Sequence, residues 1–265
     1  MEKKALCVGI NDYPYEGNDL NGCVNDAKAW ADLLVEHYGF PRDNIQMLFD
    51  ADATKANILT ALESLVAEAK PGDMLVFTNS SHGTYVADTG GDEEKYDEAM
   101  CPHDCETNLI VDDELREIFG KMADEVNLTV ISDSCFSGSV TRAPLPNTPD
   151  DRRVRFLNPK HIGRTVLDYP EKAKPNRKTT YPESTMKEVL LSGCTDKEFS
   201  YDARINGKYH GAMTYYALQT IQEANYQITF QQLIEKLQFL IDNEGYNQHP
   251  QLEGKADNKD KMIFT

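Results

Sequence analysis

The sequence predicts an α/β fold in which a mostly parallel central sheet is flanked by helices on both faces. Short apolar runs alternate along the chain with segments of helical periodicity, and this alternation is typical of parallel sheets with helical connections. The apolar runs are continuous, as expected of strands buried on both faces. With 265 residues, the chain is long enough for one large domain with a well-buried core.

Each element follows from local pattern. The runs predict strands over residues 4–10, 45–49, 74–78, 128–132 and 188–192, and a last short strand over 262–264. Helical spacing of apolar residues predicts helices over residues 26–38, 54–69, 113–122, 211–225 and 230–244. Thr54 is the expected N-cap of the second helix, and Gly39 ends the first. Residues 88–113 are expected to form a long acidic loop.

Charge narrows the classes of partner. A formal net charge of −17 repels phosphates, so nucleic acid is not an expected partner, whereas cationic substrates or metal ions are. The apolar run over residues 5–10 follows Met-Glu-Lys-Lys but stops at Asn11-Asp12 without a small-residue cleavage site, so it is interpreted as a strand rather than a signal peptide. No run reaches the about 18 apolar residues of a membrane span. We therefore expect a cytoplasmic protein with six reduced cysteines and no membrane partner.

Reactive side chains follow two of the predicted strands. His82 comes after the third strand in Ser81-His82-Gly83, and Cys135 after the fourth in Asp133-Ser134-Cys135-Phe136-Ser137-Gly138. Adjacent parallel strands place such ends at one edge of the sheet. An imidazole there can take the thiol proton and later protonate a leaving amine. The backbone N–H groups of Gly83 and Cys135 are candidate donors to the oxyanion of a tetrahedral intermediate.

These motifs resemble the catalytic motifs of metacaspases and their prokaryotic relatives, the orthocaspases. The separation of His82 and Cys135 is close to the spacing of about 50 residues in caspases. The resemblance continues through Leu20–Ala27, Tyr96-Asp97-Glu98, Val111–Leu115 and His249–Leu252. It implies a caspase-like three-layer sandwich and a cysteine endopeptidase that cleaves peptides or proteins after Arg or Lys. The variant Cys-Phe-Ser-Gly differs from the common Cys-His-Ser-Gly and favours the bacterial branch.

The resemblance also implies binding residues. The primary specificity (S1) pocket would be lined by Asp26 and Asp133, with Cys23 and Ser80 beside them. Two carboxylates in a cleft bind a guanidinium or an ammonium. As alternatives, Asp26 is a helix N-cap and Asp133 a strand-end turn residue, and neither excludes the pocket role.

Calcium is a further expectation from the resemblance. Asp97, Asp112 and Asp113 match the acidic ligands of calcium-dependent metacaspases, and carboxylates are suitable ligands for this ion. A further ligand position of the family corresponds to Arg142, and a cation there opposes calcium. The alternative is a solvated acidic loop in which Asp112 or Asp113 caps the following helix. Cys101, His103 and Cys105 resemble half of a zinc site, but no second ligand pair has suitable spacing.

One segment, from Arg142 to Lys178, interrupts the alternation of strands and helices. It contains six prolines and ten of the 27 basic residues of the chain. The interpretations are a solvated surface excursion or, by resemblance, a segment in which the enzyme cuts itself after Arg or Lys. The expected organisation is a single domain with a large-subunit-like part over 1–141, a processing loop over 142–185 and a small-subunit-like part over 186–265. The resemblance implies a monomer, and the alternative function is a catalytically silent caspase-like scaffold or regulatory binding module.

Overall fold

The computed structural model describes residues 1–87, 96–135, 151–159, 183–195 and 198–265. The strands of this part of the chain are β1 (Lys3–Gly9), β2 (Ile45–Phe49), β3 (Met74–Ser80), β4 (Gly83–Ala87), β5 (Tyr96–Met100), β6 (Ile110–Val111), β7 (Asn127–Asp133), β8 (Arg152–Val154), β9 (Glu188–Ser192), β10 (Tyr201–Ile205), β11 (Lys208–Gly211) and β12 (Gln251–Glu253). Its α-helices are α1 (Cys23–Tyr38), α2 (Lys55–Ala67), α3 (Asp112–Gly120), α4 (Ala212–Glu223), α5 (Phe230–Asn243) and α6 (Ala256–Lys259).

The central sheet has six strands in the order β12-β9-β7-β3-β1-β2. All neighbours pair in parallel except β12, which lies antiparallel to β9 at one edge. The five predicted strands of this sheet are therefore confirmed, each within two residues of the expected bounds. Strands that run the same way bring their carboxyl ends to one edge, where polar side chains collect.

The strand predicted over residues 262–264 is wrong. Met262 makes one isolated bridge to Thr229, and the chain then turns at Phe264, whose φ is 56°. The Phe264 ring packs edge-on against Trp30 and Tyr38. Residues 262–264 are thus buried in a turn that packs against the core. The sixth strand of the sheet is instead β12, which has a weaker apolar pattern.

Helices cover both faces of the sheet. Gly39, with φ 69°, ends α1 in the left-handed conformation, and the Thr54 hydroxyl accepts a hydrogen bond from the Asn57 N–H at the start of α2. One core lies under α1, α4 and α5 and includes Trp30, Leu34, Met213, Leu237 and Phe264. The other lies under α2 and α3 and includes Ile58, Leu62, Phe77, Ile110 and Phe119. Two buried layers of this kind make the three-layer arrangement that the sequence predicts.

Two small antiparallel sheets stand beyond the carboxyl ends of the central strands. One has the order β4-β5-β6, so part of the expected acidic loop 88–113 is strand rather than loop, and α3 begins within its predicted region. The other has the order β11-β10-β8. Strand β8 comes from the basic segment 142–178, where no regular structure was expected. This second sheet brings the described part of the basic segment over the end of the central sheet.

Candidate active site

His82 and Cys135 follow neighbouring strands at the same level. Strands β3 and β7 pair in parallel with Ser80 opposite Asp133, so each reactive residue stands two positions beyond a paired residue. The backbones then come very close, because a Cβ built on Gly83 would lie 2.0 Å from the carbonyl oxygen of Cys135. Only glycine fits at position 83. The two strand ends expected from the sequence therefore meet at one place.

The His82 ring is oriented by a backbone group. Its Nε2 lies 2.7 Å from the carbonyl oxygen of Asn18, so Nε2 carries the proton and donates it. The Nδ1 atom is then the basic nitrogen, and it is buried without a hydrogen bond among the described residues. Burial lowers the pKa of His82 from 6.5 to about 4, although the carbonyls of Asn18 and Arg155 act against this. The imidazole is thus neutral and able to accept a proton.

The Cys135 sulfur is fully buried and contacts the two peptide groups on either side of Ser200. The Ser200 N–H donates to Sγ at 2.6 Å, and Sγ lies 3.4 Å from the Ser200 carbonyl oxygen. The Ser200 carbonyl also accepts the N–H of Arg155 at 2.9 Å. The sulfur therefore lies alongside residue 155 of the basic segment.

The carbonyl group of Arg155 lies between the two donors that the sequence suggested for an oxyanion. It accepts the Gly83 N–H at 2.9 Å and the Cys135 N–H at 3.3 Å. The next residues extend the contact, with a parallel bridge between Phe156 and Gly83 and a hydrogen bond from Leu157 N–H to the Gly83 carbonyl at 2.9 Å. Strand β8 thus continues as an extended segment across the dyad and covers it.

The side chain of Arg155 enters a fully buried acidic pocket. Its Nη1 contacts Ser80 Oγ at 2.7 Å and Asp133 at 3.0 Å for the carbonyl oxygen and 3.4 Å for Oδ2. Its Nη2 contacts Asp26 Oδ2 at 2.7 Å and Asp202 Oδ1 at 3.1 Å. The guanidinium is 0% exposed, a state that a cation tolerates only when it is paired.

Three of the four residues assigned to the pocket from the sequence therefore contact this guanidinium: Asp26, Asp133 and Ser80. Cys23, the fourth, is also fully buried at the start of α1. Burial raises the pKa of its thiol well above the ordinary value, and the nearby Arg155 guanidinium acts against the rise. Burial likewise raises the pKa of Asp26, and Arg155 and His210 oppose this. The charged form of Asp26 thus depends on a cation bound in the pocket.

Sequence reasoning missed several residues of the pocket. Asp202 stands on β10, and Gly211 ends β11, where its N–H donates to Asp26 Oδ2 at 2.9 Å. Both belong to a hairpin whose turn is Asn206-Gly207, with φ 51° and 86°. An Asn-Gly pair is a short-range hairpin signal, although the run on its carboxyl side, Lys208–Gly211, is mostly polar. Asn18 acts through its backbone, for which no sequence signal exists.

Two of the three candidate calcium ligands, Asp112 and Asp113, are engaged in ion pairs. Asp112 and Asp113 occupy the first turn of α3, and both form ion pairs with Arg116, at 3.0 Å for Asp113 Oδ1. Asp97 lies on β5, opposite Val86. Within the described ranges no group of three His, Cys, Asp or Glu side chains is placed to hold a metal ion. Calcium binding by Asp97, Asp112 and Asp113 therefore stays a prediction.

Some expected features lie outside the described residues. These are the Phe136–Ser139 part of the nucleophile motif and most of the processing segment predicted from Arg142 to Lys178, including both of its end residues. Only residues 151–159 of that segment are described, and they hold three of its ten basic residues, Arg152, Arg153 and Arg155. The other seven basic residues of the predicted cleavage segment lie outside the described residues.

Two other expectations concern cysteines and membranes. Cys101 and Cys105, which resemble half of a zinc site, are buried thiols that form no disulfide bond. Across the described ranges no helix combines the length and apolarity needed to cross a membrane.

Comparisons with known proteins identify similar chains. Residues 3–144 match the family described as "Metacaspase, peptidase C14 domain". The chain is similar to Metacaspase-1A of Aspergillus oryzae, with 33% identity over 285 residues, 94% of this chain and 67% of that protein. A crystal structure of a Geobacter sulfurreducens protein superposes with a TM-score of 0.76 and 26% identity, covering 100% of this chain and 99% of the other. Caspase-1 from Spodoptera frugiperda has a TM-score of 0.59 at 9% identity, covering 96% and 86%, and shows the caspase-like fold alone.

Proposed function

Because this chain belongs to the metacaspase family of caspase-like cysteine peptidases, we propose that it is an endopeptidase that cleaves peptides and proteins after arginine or lysine, with Cys135 and His82 as its catalytic dyad. The observation that carries the proposal is the position of Arg155. Its side chain fills the acidic pocket while its carbonyl oxygen faces the Gly83 and Cys135 N–H groups. This is the arrangement that a substrate residue needs on the amino side of a scissile bond.

The proposed chemistry uses the Cys135 thiol, the His82 imidazole and the two N–H donors in turn. The Cys135 sulfur adds to the carbonyl carbon of the bound residue, while His82 Nδ1 takes the thiol proton. The carbonyl oxygen gains negative charge, which the two N–H donors stabilise. His82 then gives the proton to the departing amine nitrogen, leaving a thioester on Cys135. Water attacks the thioester with Nδ1 as base, which releases the acid and restores the thiol.

Self-processing is part of this proposal. The segment from Arg142 to Lys178 offers ten candidate sites, and among those that the structure describes Arg155 is the one that lies in the pocket. The bond between Arg155 and Phe156 would be cut by the same steps, with Phe156 as the leaving amine. Until then the segment closes the site, because Cys135 is 0% exposed beneath it. The basic segment is thus both inhibitor and first substrate.

The test uses intact mass after purification and incubation. The wild-type chain should yield fragments 1–155 and 156–265, whereas Cys135→Ala should stay whole. A peptide amide whose last residue before the cleaved amide bond is arginine should be turned over by the wild type alone. A wild-type chain that turns over the peptide but never breaks after Arg155 would contradict the self-processing part. Absence of peptide turnover together with slow, His82-independent alkylation of Cys135 would favour the silent scaffold instead.

A monomeric state and a cytoplasmic location remain predictions from the resemblance and the sequence. Sedimentation at several protein concentrations tests the first, and localisation of a tagged chain tests the second.

A further inference from the structure

The acidic pocket has a third carboxylate that neither the sequence motifs nor the resemblance assign. Asp202 is fully buried on β10, and its Oδ1 lies 3.1 Å from Nη2 of Arg155. We propose that Asp202 is a specificity-determining residue that makes the pocket select arginine over lysine. This inference rests on the proposed function and refines its substrate class.

The acceptors around the guanidinium form two groups, one at each terminal nitrogen, which the Ser80 hydroxyl links by donating to Asp26 Oδ2. Ser80 and Asp133 surround Nη1, whereas Asp26 and Asp202 surround Nη2. Arginine presents these two nitrogens in a fixed plane and reaches both groups at once. A lysine side chain ends in one nitrogen, near the position of the guanidinium carbon, so it has no separate nitrogen to direct at each group. At least one buried carboxylate would then lose its cationic partner, which is costly.

The carboxylate of Asp202 is not free to move toward a shorter side chain. Its Oδ2 accepts the Asn21 N–H at 2.8 Å and its Oδ1 accepts the Gly22 N–H at 2.9 Å, at the start of α1. A Cβ on Gly22 would lie 2.5 Å from Asp202 Oδ1, so the backbone is pressed against the carboxylate. Asp26 is held in the same way by the Gly211 N–H and the Ser80 hydroxyl. The spacing between the two acceptor groups is therefore built into the fold.

The Nε atom of Arg155 is buried and makes no hydrogen bond among the described residues. Recognition is thus concentrated on the two terminal nitrogens, the part of arginine that lysine lacks. Asp202 supplies one of the two acceptors for Nη2, so its loss should weaken binding of arginine more than binding of lysine.

The experiment compares kcat/KM on two peptide amides that differ only in arginine or lysine at the cleaved position. Wild type should prefer arginine by about tenfold or more, in line with the loss of a buried charged hydrogen bond. Asp202→Asn should lower the value for arginine by a similar factor and that for lysine by less, so that the ratio contracts. Asp257→Asn, at an acid remote from the pocket, is the matched control and should leave the ratio unchanged. An equal fall on both substrates, or a wild type without preference, would overturn the assignment.

A second measurement works without turnover and without changing Asp202. In the Cys135→Ala background, Arg155→Lys should release the covering segment nearly as much as Arg155→Ala, seen as faster hydrogen exchange at the amides of residues 155 and 157. Protection equal to that with Arg155 would refute selection for arginine. If the wild type cleaves neither substrate, the proposed function fails, and this exchange result still decides the selectivity of the pocket.

Discussion

Replacing Gly211 by alanine should fill the acidic pocket from its floor. The new Cβ would lie 2.1 Å from Asp133 Oδ2 and 2.4 Å from Arg155 Nη1, well inside ordinary contact distances. The backbone at this position has φ −66° and ψ 135°, which alanine adopts without strain. The substitution therefore acts on the space that the guanidinium needs rather than on the backbone.

The magnitude follows from the displacement. To restore contact distances of about 3.5 Å the guanidinium must withdraw by roughly 1 Å, and misplacement on this scale costs about 100-fold in rate, or about 2.7 kcal/mol. We expect Gly211→Ala to lower kcat/KM on an arginine peptide by about that factor and to stop cleavage after Arg155. Some loss of stability, about 1–3 kcal/mol, should accompany the crowding of Asp133.

The assay needs a control for folding and a readout besides turnover. Gly120→Ala is the matched control, because its Cβ would have nothing within 4 Å. Since Arg155 can no longer occupy the pocket, Cys135 of Gly211→Ala should be alkylated faster than Cys135 of the unprocessed wild-type chain. This faster alkylation should require His82. A misfolded protein that has lost its His82 contacts would show no such dependence on His82. A Gly211→Ala enzyme with wild-type kcat/KM on arginine peptides would refute the role of this pocket.

Three further predictions concern the dyad, the covering segment and calcium. The pKa of His82 is lowered from 6.5 to about 4, so the unfolded chain binds more protons than the folded chain between these pH values. The free energy of unfolding should therefore fall by about 3 kcal/mol as the pH drops from 6.5 to 4. Thermal melts of His82→Gln over the same pH range should show a smaller fall. Arg155→Ala should expose the fully buried Cys135 sulfur and raise its alkylation rate by at least about tenfold over that in the freshly isolated, unprocessed wild-type chain. An unchanged rate would mean that the segment does not close the site. If Asp97, Asp112 and Asp113 hold calcium, EDTA should reduce peptide turnover and added calcium should restore it; full activity in EDTA would remove calcium from the mechanism.

The central sheet could be predicted because its strands are continuous apolar runs, and a buried parallel strand leaves that pattern. The meeting of His82 and Cys135 could be predicted for the same reason, since parallel neighbours share an edge. The short strands beside the site could not be found from periodicity, because runs of two to five residues that face both solvent and core have little of it. Arg155 could not be distinguished from the other basic residues between Arg142 and Lys178, since the three-dimensional path of the segment determines which side chain enters the pocket.

The mistaken strand at residues 262–264 shows a different limit. An apolar triplet is equally suited to a strand or to a buried turn, and only the packing of Phe264 on Trp30 decides between them. The sequence did not point to Asp202 although its hairpin carries an Asn-Gly pair, because the region between β9 and α4 was expected to be a simple connection from a strand to a helix.

The pairing of β8 with β10 has a consequence for the fate of the enzyme after a cut. All three register pairs of β8, from Arg152 to Val154, lie on the amino side of the Arg155–Phe156 bond, as do the contacts of the guanidinium. Hydrolysis would sever the link to Phe156 and leave this anchorage intact, so the new chain end would behave as a tethered product in the cleft. Cleavage of other proteins would then begin after a lag, whose length reports how fast the new chain end dissociates from the cleft.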